Sequence, residues 1–91
     1  MERDIERYLV KRVKDLGGVA YKFVSPAHRG VADRLVVLPG GRVWFVEVKA
    51  PTGRLSTLQK IFFDEMQALG QNIAIVWCNE DVDDLIKEMT E

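Results

Sequence analysis

A chain of 91 residues, 47% hydrophobic and 30% charged, has the composition of one ordinary globular domain spanning residues 1–91 and leaves no room for a second. Its 13 basic and 14 acidic side chains sum to −1, which at first argues against a polyanionic partner. Counted by position, however, residues 1–60 hold twelve Lys and Arg against six Asp and Glu, and residues 61–91 hold Lys87 against eight acids.

The single Cys78 cannot form an internal disulfide, and one His with one Cys cannot furnish an ordinary zinc site. The longest apolar run, six residues ending at Cys78, is far too short to span a bilayer, and the charged N-terminus has no signal-peptide pattern. A reducing, intracellular (cytoplasmic) setting away from membranes is therefore expected. In chain order, Ile5, Tyr8, Leu9, Val13 and Leu16 at offsets 0, 3, 4, 8 and 11 predict an amphipathic helix over residues 2–16, ended by Gly17-Gly18. Residues 19–24 are β-prone and run into the breaker-rich turn Ser25-Pro26-Ala27-His28-Arg29-Gly30. Strands over residues 31–38 and 42–50 flank Pro39-Gly40-Gly41, a short hairpin linker.

Ser56 with Gln59 three residues on forms a capping box, and Leu58, Ile61, Phe62, Met66 and Leu69 continue as the core stripe of a second helix up to Gly70. Residues 72–78 are almost wholly apolar and predict a fourth strand buried on both faces, after which Asn79 is expected to cap a last helix bearing Val82, Leu85, Ile86 and Met89. Trp44 and Trp77 are assigned to the core. The order is αβββαβα, an α/β fold with a mixed central sheet flanked by helices.

Alternation along the third strand puts Trp44, Val46 and Val48 on one face and Val43, Phe45, Glu47 and Lys49 on the other. A face that starts apolar thus ends in a carboxylate and an ammonium, a costly pair to bury without a partner or a metal. Glu-x-Lys alone is short enough to be a chance surface pair. In Gly30-Val31-Ala32-Asp33-Arg34, however, a second carboxylate interrupts an apolar run, and a hairpin between the two strands would set Asp33 across from Glu47 and Lys49. Two carboxylates and a backbone carbonyl suit a hard cation such as Mg²⁺ or Mn²⁺, and a lysine beside that ion completes a phosphodiester-cleaving constellation.

Helix, strand, Gly-x-x-Asp, hairpin, Glu-x-Lys and a helix opening with Gln resemble the PD-(D/E)xK nuclease superfamily of restriction-endonuclease-like fold. More narrowly the chain resembles the stand-alone VRR-NUC domains, which are similar to Holliday junction resolvases. The resemblance runs from Glu2 and Glu6 through Lys22-Phe23-Val24-Ser25-Pro26, Arg29 to Arg34 and Phe45 to Ala50, to Leu55-Ser56 and Gln59, with Ala32 where the family usually has Pro. It implies that Asp33, Glu47 and the main-chain carbonyl of Val48 hold the metal and that Lys49 serves the attacking water. It further implies that Gln59 orients the lysine or a phosphate, and that Glu6, or Glu2 one turn away, is the first-helix carboxylate.

Lys22, Arg29, Arg34, Arg54 and Lys60 fall in or beside these motifs and are expected to contact DNA. Arg3, Arg7, Lys11, Arg12 and Lys14 spread along the first helix and receive no role. The expected function is a metal-dependent endonuclease acting on branched DNA such as four-way junctions or flaps. The alternative is a catalytically silent DNA-binding module of the same fold. A domain this small cannot span a branched substrate, so a homodimer is expected, with Phe63 and the acidic last helix marking the interface. The acidic C-terminal third should face away from DNA.

Overall fold

Ile5, Leu9 and Val13 recur every four residues along α1 (Glu2–Asp15), and all three are buried, so this helix has a single apolar stripe and must dock by it. The computed structural model describes residues 1–25 and 28–91; the Pro26-Ala27 part of the predicted turn lies outside them. The chain continues as β1 (Val19–Lys22), β2 (Arg34–Leu38), β3 (Arg42–Val48), α2 (Thr57–Ala68), β4 (Ile73–Val76) and α3 (Asn79–Thr90), the expected αβββαβα order. The sheet runs β1-β2-β3-β4, with antiparallel pairing across the first three strands and parallel pairing of β4 on β3, hence mixed. A parallel neighbour requires a crossover, and α2 is that crossover.

α1 and α3 cover one face. Their Leu9, Val13, Val82 and Met89 meet Val36, Val46, Val48 and Val76 of the sheet, and all eight side chains are fully buried. Tyr8 and Arg12 of α1 both donate to the Asp83 carboxylate of α3, which joins the two helices at their outer edge. Trp44 is buried as expected, while Trp77 is half-buried and donates its indole N–H to the Gly53 carbonyl at 3.3 Å.

The opposite face is covered unevenly. α2 lies over the β3–β4 edge, where Phe62 meets Phe45 edge-on at 5.8 Å, and Val19, Tyr21, Val37 and Val43 stay exposed beyond its reach. Three expectations are corrected here. β4 is half-buried rather than buried on both faces, because it is an edge strand. No residue of α2 is fully buried, and Leu58, Ile61 and Leu69 of its supposed core stripe are 46%, 55% and 64% exposed. Asn79 is the first residue of α3 rather than its cap; the Asp81 carboxylate instead accepts the Trp77 N–H at 2.9 Å. The strands are also shorter than their apolar runs, since β2 starts at Arg34 and β3 ends at Val48.

Ser56 does cap α2: its hydroxyl accepts the Gln59 N–H at 3.1 Å, and the Gln59 side-chain oxygen accepts the Ser56 N–H at 2.9 Å. That first turn is pressed against Gly30, whose φ is +86° and where a Cβ would lie 2.4 Å from the Leu58 carbonyl group. Gly40 has nearly the same φ, +84°, with open space around it. Both should lose about 1 kcal/mol on replacement by Ala for the backbone alone. Chemical denaturation of Gly30→Ala is expected to show a loss at least about 1–2 kcal/mol larger than that of Gly40→Ala, the difference being the backbone collision.

Candidate metal and phosphodiester site

The β2–β3 register pairs Arg34 with Val46, so the next step outward sets Asp33 opposite Glu47, as the sequence suggested. Lys49 donates its N–H to Val76 of β4, so by alternation the N–H and C=O of Val48 point the other way, toward β2. In a continuing ladder the Val48 N–H would seek the carbonyl of Ala32. It donates instead to Asp33 Oδ1 at 3.1 Å, so a side-chain carboxylate stands where a strand would have been. The Val48 carbonyl lies on the same edge, past the last ladder pair.

Glu47 is 7% exposed. Its Oε2 accepts from Gln59 Nε2 at 3.0 Å and lies 3.6 Å from Lys49 Nζ. Because the Gln59 oxygen is held by the Ser56 N–H, the amide must turn its NH₂ toward Glu47. Gln59 therefore orients the carboxylate in this structure, rather than the lysine. Side-chain hydrogen bonds fall on one oxygen of each acid, Oδ1 of Asp33 and Oε2 of Glu47. Among the described residues no fully buried side-chain oxygen lacks a partner, so the second oxygen of each remains open to a ligand.

Burial, and then the charges of Glu6 and Glu2, push the Asp33 carboxyl up to about 6 against the pull of the Val48 N–H. Burial, followed by the charge of Asp33, pushes Glu47 up to about 7, although Lys49 acts in the opposite direction. The lysine leaves the pair short of positive charge. A small divalent cation bound to oxygens would supply it, so the donor set fits Mg²⁺ or Mn²⁺ better than a soft metal.

Glu6 does not join the pair directly. Its Oε2 accepts from Arg34 Nε at 3.0 Å, and Arg34 also donates to the Ala20 carbonyl at 3.1 Å. Among the described residues no three Asp, Glu, His or Cys side chains converge as a metal cluster, so neither Glu6 nor Glu2 completes a three-carboxylate site here. Arg34 departs from its expected role: its side chain is only 15% exposed and paired, so it is not presented as a free phosphate contact. Lys22, Arg29, Arg54 and Lys60 are all exposed. Phe63 is half-buried and helps line a small cavity with Glu47, Gln59, Ile73 and Ile75. Gly30, three residues before the carboxylate, is the sequence signal of the close backbone approach to the first turn of α2.

No family model matches the sequence. A protein of Acyrthosiphon pisum secondary endosymbiont phage 1, named "Putative nuclease p44", is 47% identical over 75 residues, 82% of this chain and 81% of that one. A solved structure described as "VRR_NUC domain" superposes with a TM-score of 0.89 at 32% identity, covering 94% of both chains. Agreement of this extent in sequence and in backbone, over the elements that carry Asp33, Glu47 and Lys49, means that the chain belongs to the VRR-NUC domain family.

Proposed function

We propose that the protein is a Mg²⁺- or Mn²⁺-dependent endodeoxyribonuclease that hydrolyses phosphodiester bonds in branched DNA, such as four-way junctions or flaps, as a homodimer. The observation that carries this reading is the Asp33–Glu47 pair, each carboxylate with one oxygen committed and one open, beside Lys49. The relative named as a nuclease supports the reaction class. A module that only binds DNA gains nothing from a buried and a half-buried carboxylate facing phosphates, which sets the silent alternative behind.

Asp33, the open oxygen of Glu47 and the Val48 carbonyl would hold the ion. When bound, it supplies Lewis acidity toward a phosphate oxygen and lowers the pKa of water. Lys49 has N–H donors beyond the one nearest Glu47, which position the attacking water and offset the charge that builds on phosphorus. Gln59 fixes one oxygen of Glu47 and so leaves the other in a constant direction. Exposed Lys22, Arg29, Arg54 and Lys60 bind flanking phosphates with release of counterions.

The dimer reading rests on the outer face of α2. α3 turns its apolar residues Val82, Leu85, Ile86 and Met89 into the core and offers polar side chains outward. Leu58 and Ile61 instead border an open groove of about 480 Å³ with Phe23, Phe45, Phe62 and Met66. Antiparallel packing of α2 on its copy would set Leu58 and Ile61 of each helix against those of the other, as a two-fold interface requires. Two sites on one dimer match a substrate with two strands to cut.

Cleavage of labelled junction, flap, duplex and single-stranded DNA is the direct test. Activity should require Mg²⁺ or Mn²⁺, vanish in chelator, favour the branched substrates, and fall at least about 10²-fold in Asp33→Ala, Glu47→Ala and Lys49→Ala. Binding without cutting would instead support the silent module.

A second expectation follows from the raised carboxyls. Their folded-state values, about 6 and 7, exceed the ordinary 3.8 and 4.5, so the folded chain holds protons that the unfolded chain releases. Metal-free stability contributed by this pair should be full below about pH 4 and fall as pH rises to about 7. Thermal melts should show Asp33→Asn with a flatter profile, and Mn²⁺, which binds only the ionised pair, should oppose the loss above pH 6. A melting temperature indifferent to Mn²⁺ at pH 8 would remove the metal site. For the dimer, Leu58→Glu with Ile61→Glu should sediment as a folded monomer where the parent sediments as a dimer.

A further inference from the structure

We propose that the outward face of α1 is a second DNA contact, a row of cations that carries a phosphodiester backbone away from the carboxylate pair; this rests on reading that pair as a DNA-cleaving site. Arg3, Arg7, Lys11 and Lys14 stand at offsets of four, eight and eleven residues, which places them on one line along the helix. All four are exposed. They border a groove of about 560 Å³ that has Val10 at its floor and is closed on the sheet side by Glu6 and Arg34. Arg12 is not part of the row, since it turns to Asp83 on the α3 side.

The groove is cationic after its acids are counted. Glu6 is taken by Arg34 at 3.0 Å. Asp4 and Asp15 lie along the far flank of the row, and Asp15 meets Lys11 at 3.3 Å with both side chains more than half exposed, a weak pairing that a phosphate can replace. The groove also reaches toward the proposed site, because Arg34, which closes it on the sheet side, is the residue next to Asp33. From Arg3 to Lys14 the helix rises about 16 Å, the length of about five base pairs of duplex.

Other occupants suit this face less well. A membrane surface needs an apolar outer stripe, and the apolar residues Ile5, Leu9 and Val13 of α1 are all turned into the core. A protein partner needs a desolvated apolar anchor, and only half-buried Val10 lies within the row. A polyanion with regularly spaced charges needs neither.

The test is binding in chelator, where no strand is cut, of a fluorescent duplex and a four-way junction across about 50–300 mM KCl. The parent protein is compared with Arg7→Gln/Lys11→Gln/Lys14→Gln and with Arg42→Gln/Lys87→Gln, which removes two exposed cations elsewhere. The track variant is expected to bind at least about tenfold more weakly near 0.1 M salt, and its log–log salt dependence should be shallower by about 2–3, close to one per lost phosphate contact. The control should stay within about twofold of the parent in affinity. In cleavage assays the track variant should raise KM while leaving kcat within about twofold. If the triple variant melts abnormally, Lys14→Gln alone, at an exposed position in the last turn, should still lower the salt slope by about one.

An unchanged slope, an equal loss in the control, or altered self-association with DNA affinity intact would each overturn the track. Failure of the parent itself to bind any DNA would overturn the nuclease reading and the track together, whereas parent binding with an unaffected triple variant would sink the track alone.

Discussion

The hydrogen bond from Val48 N–H to the Asp33 carboxylate is the constraint on which the site depends. An antiparallel pair that continued one step further would have satisfied Val48 with a backbone carbonyl and left nothing reactive. By substituting a side chain for a strand, the fold delays the start of β2 to Arg34, brings a carboxylate to the edge of β3, and leaves the Val48 carbonyl on that same edge without a ladder partner. The local reason is that the chain reaches β2 from a loop that runs against the first turn of α2, where Gly30 touches the helix backbone directly. Site and crossover are therefore one piece of construction.

The same termination creates an electrostatic problem that function can use. Asp33 and Glu47 are held close enough, and dry enough, that both carboxyls rise well above their ordinary range, and Lys49 offsets only part of the repulsion. Gln59 prevents the obvious relief, in which Glu47 swings out to water, by holding one of its oxygens from a helix turn that is itself locked by the Ser56 cap. Stability and reactivity meet in that residue. Its amide closes the capping box at one end and orients a carboxylate at the other.

The two faces of the sheet have different tasks. α1 and α3 pack against one face with complete burial of their apolar stripes, which makes that side the hydrophobic core. α2 covers only the edge where β3 and β4 meet, because a crossover between adjacent strands has no reason to reach further. Apolar surface on β1, β2 and the outer side of α2 is consequently left open. The acidic C-terminal third is also divided: α3 lies beside α1, whereas Asp64 and Glu65 lie on α2 across the sheet, so it cannot act as a single surface turned from DNA. The basic majority of residues 1–60 is more coherent in space than in sequence, since cations on α1 that looked scattered line up beside Glu6 and Arg34.

Helix α1, the hairpin register and the capped start of α2 were legible from residue pattern alone, because periodicity, turn chemistry and capping are properties of neighbours in the chain. So was the meeting of Asp33 with Glu47, since the hairpin linker sets the register that aligns them. Burial of β4 and α2 was overestimated for a physical reason: an apolar run records a capacity for burial, while its depth depends on whether the strand is central or at an edge. Partner choice among charged side chains was equally hidden. Only the folded chain brings Arg34 to Glu6 and Gln59 to Glu47, pairings between residues 28 and 12 positions apart that no local rule selects from the other cations and carboxylates available. The sequence by itself determined which groups stand at the end of the hairpin; the tertiary structure decided which of their oxygens remain free to act, because that depends on donors contributed by elements distant in the chain.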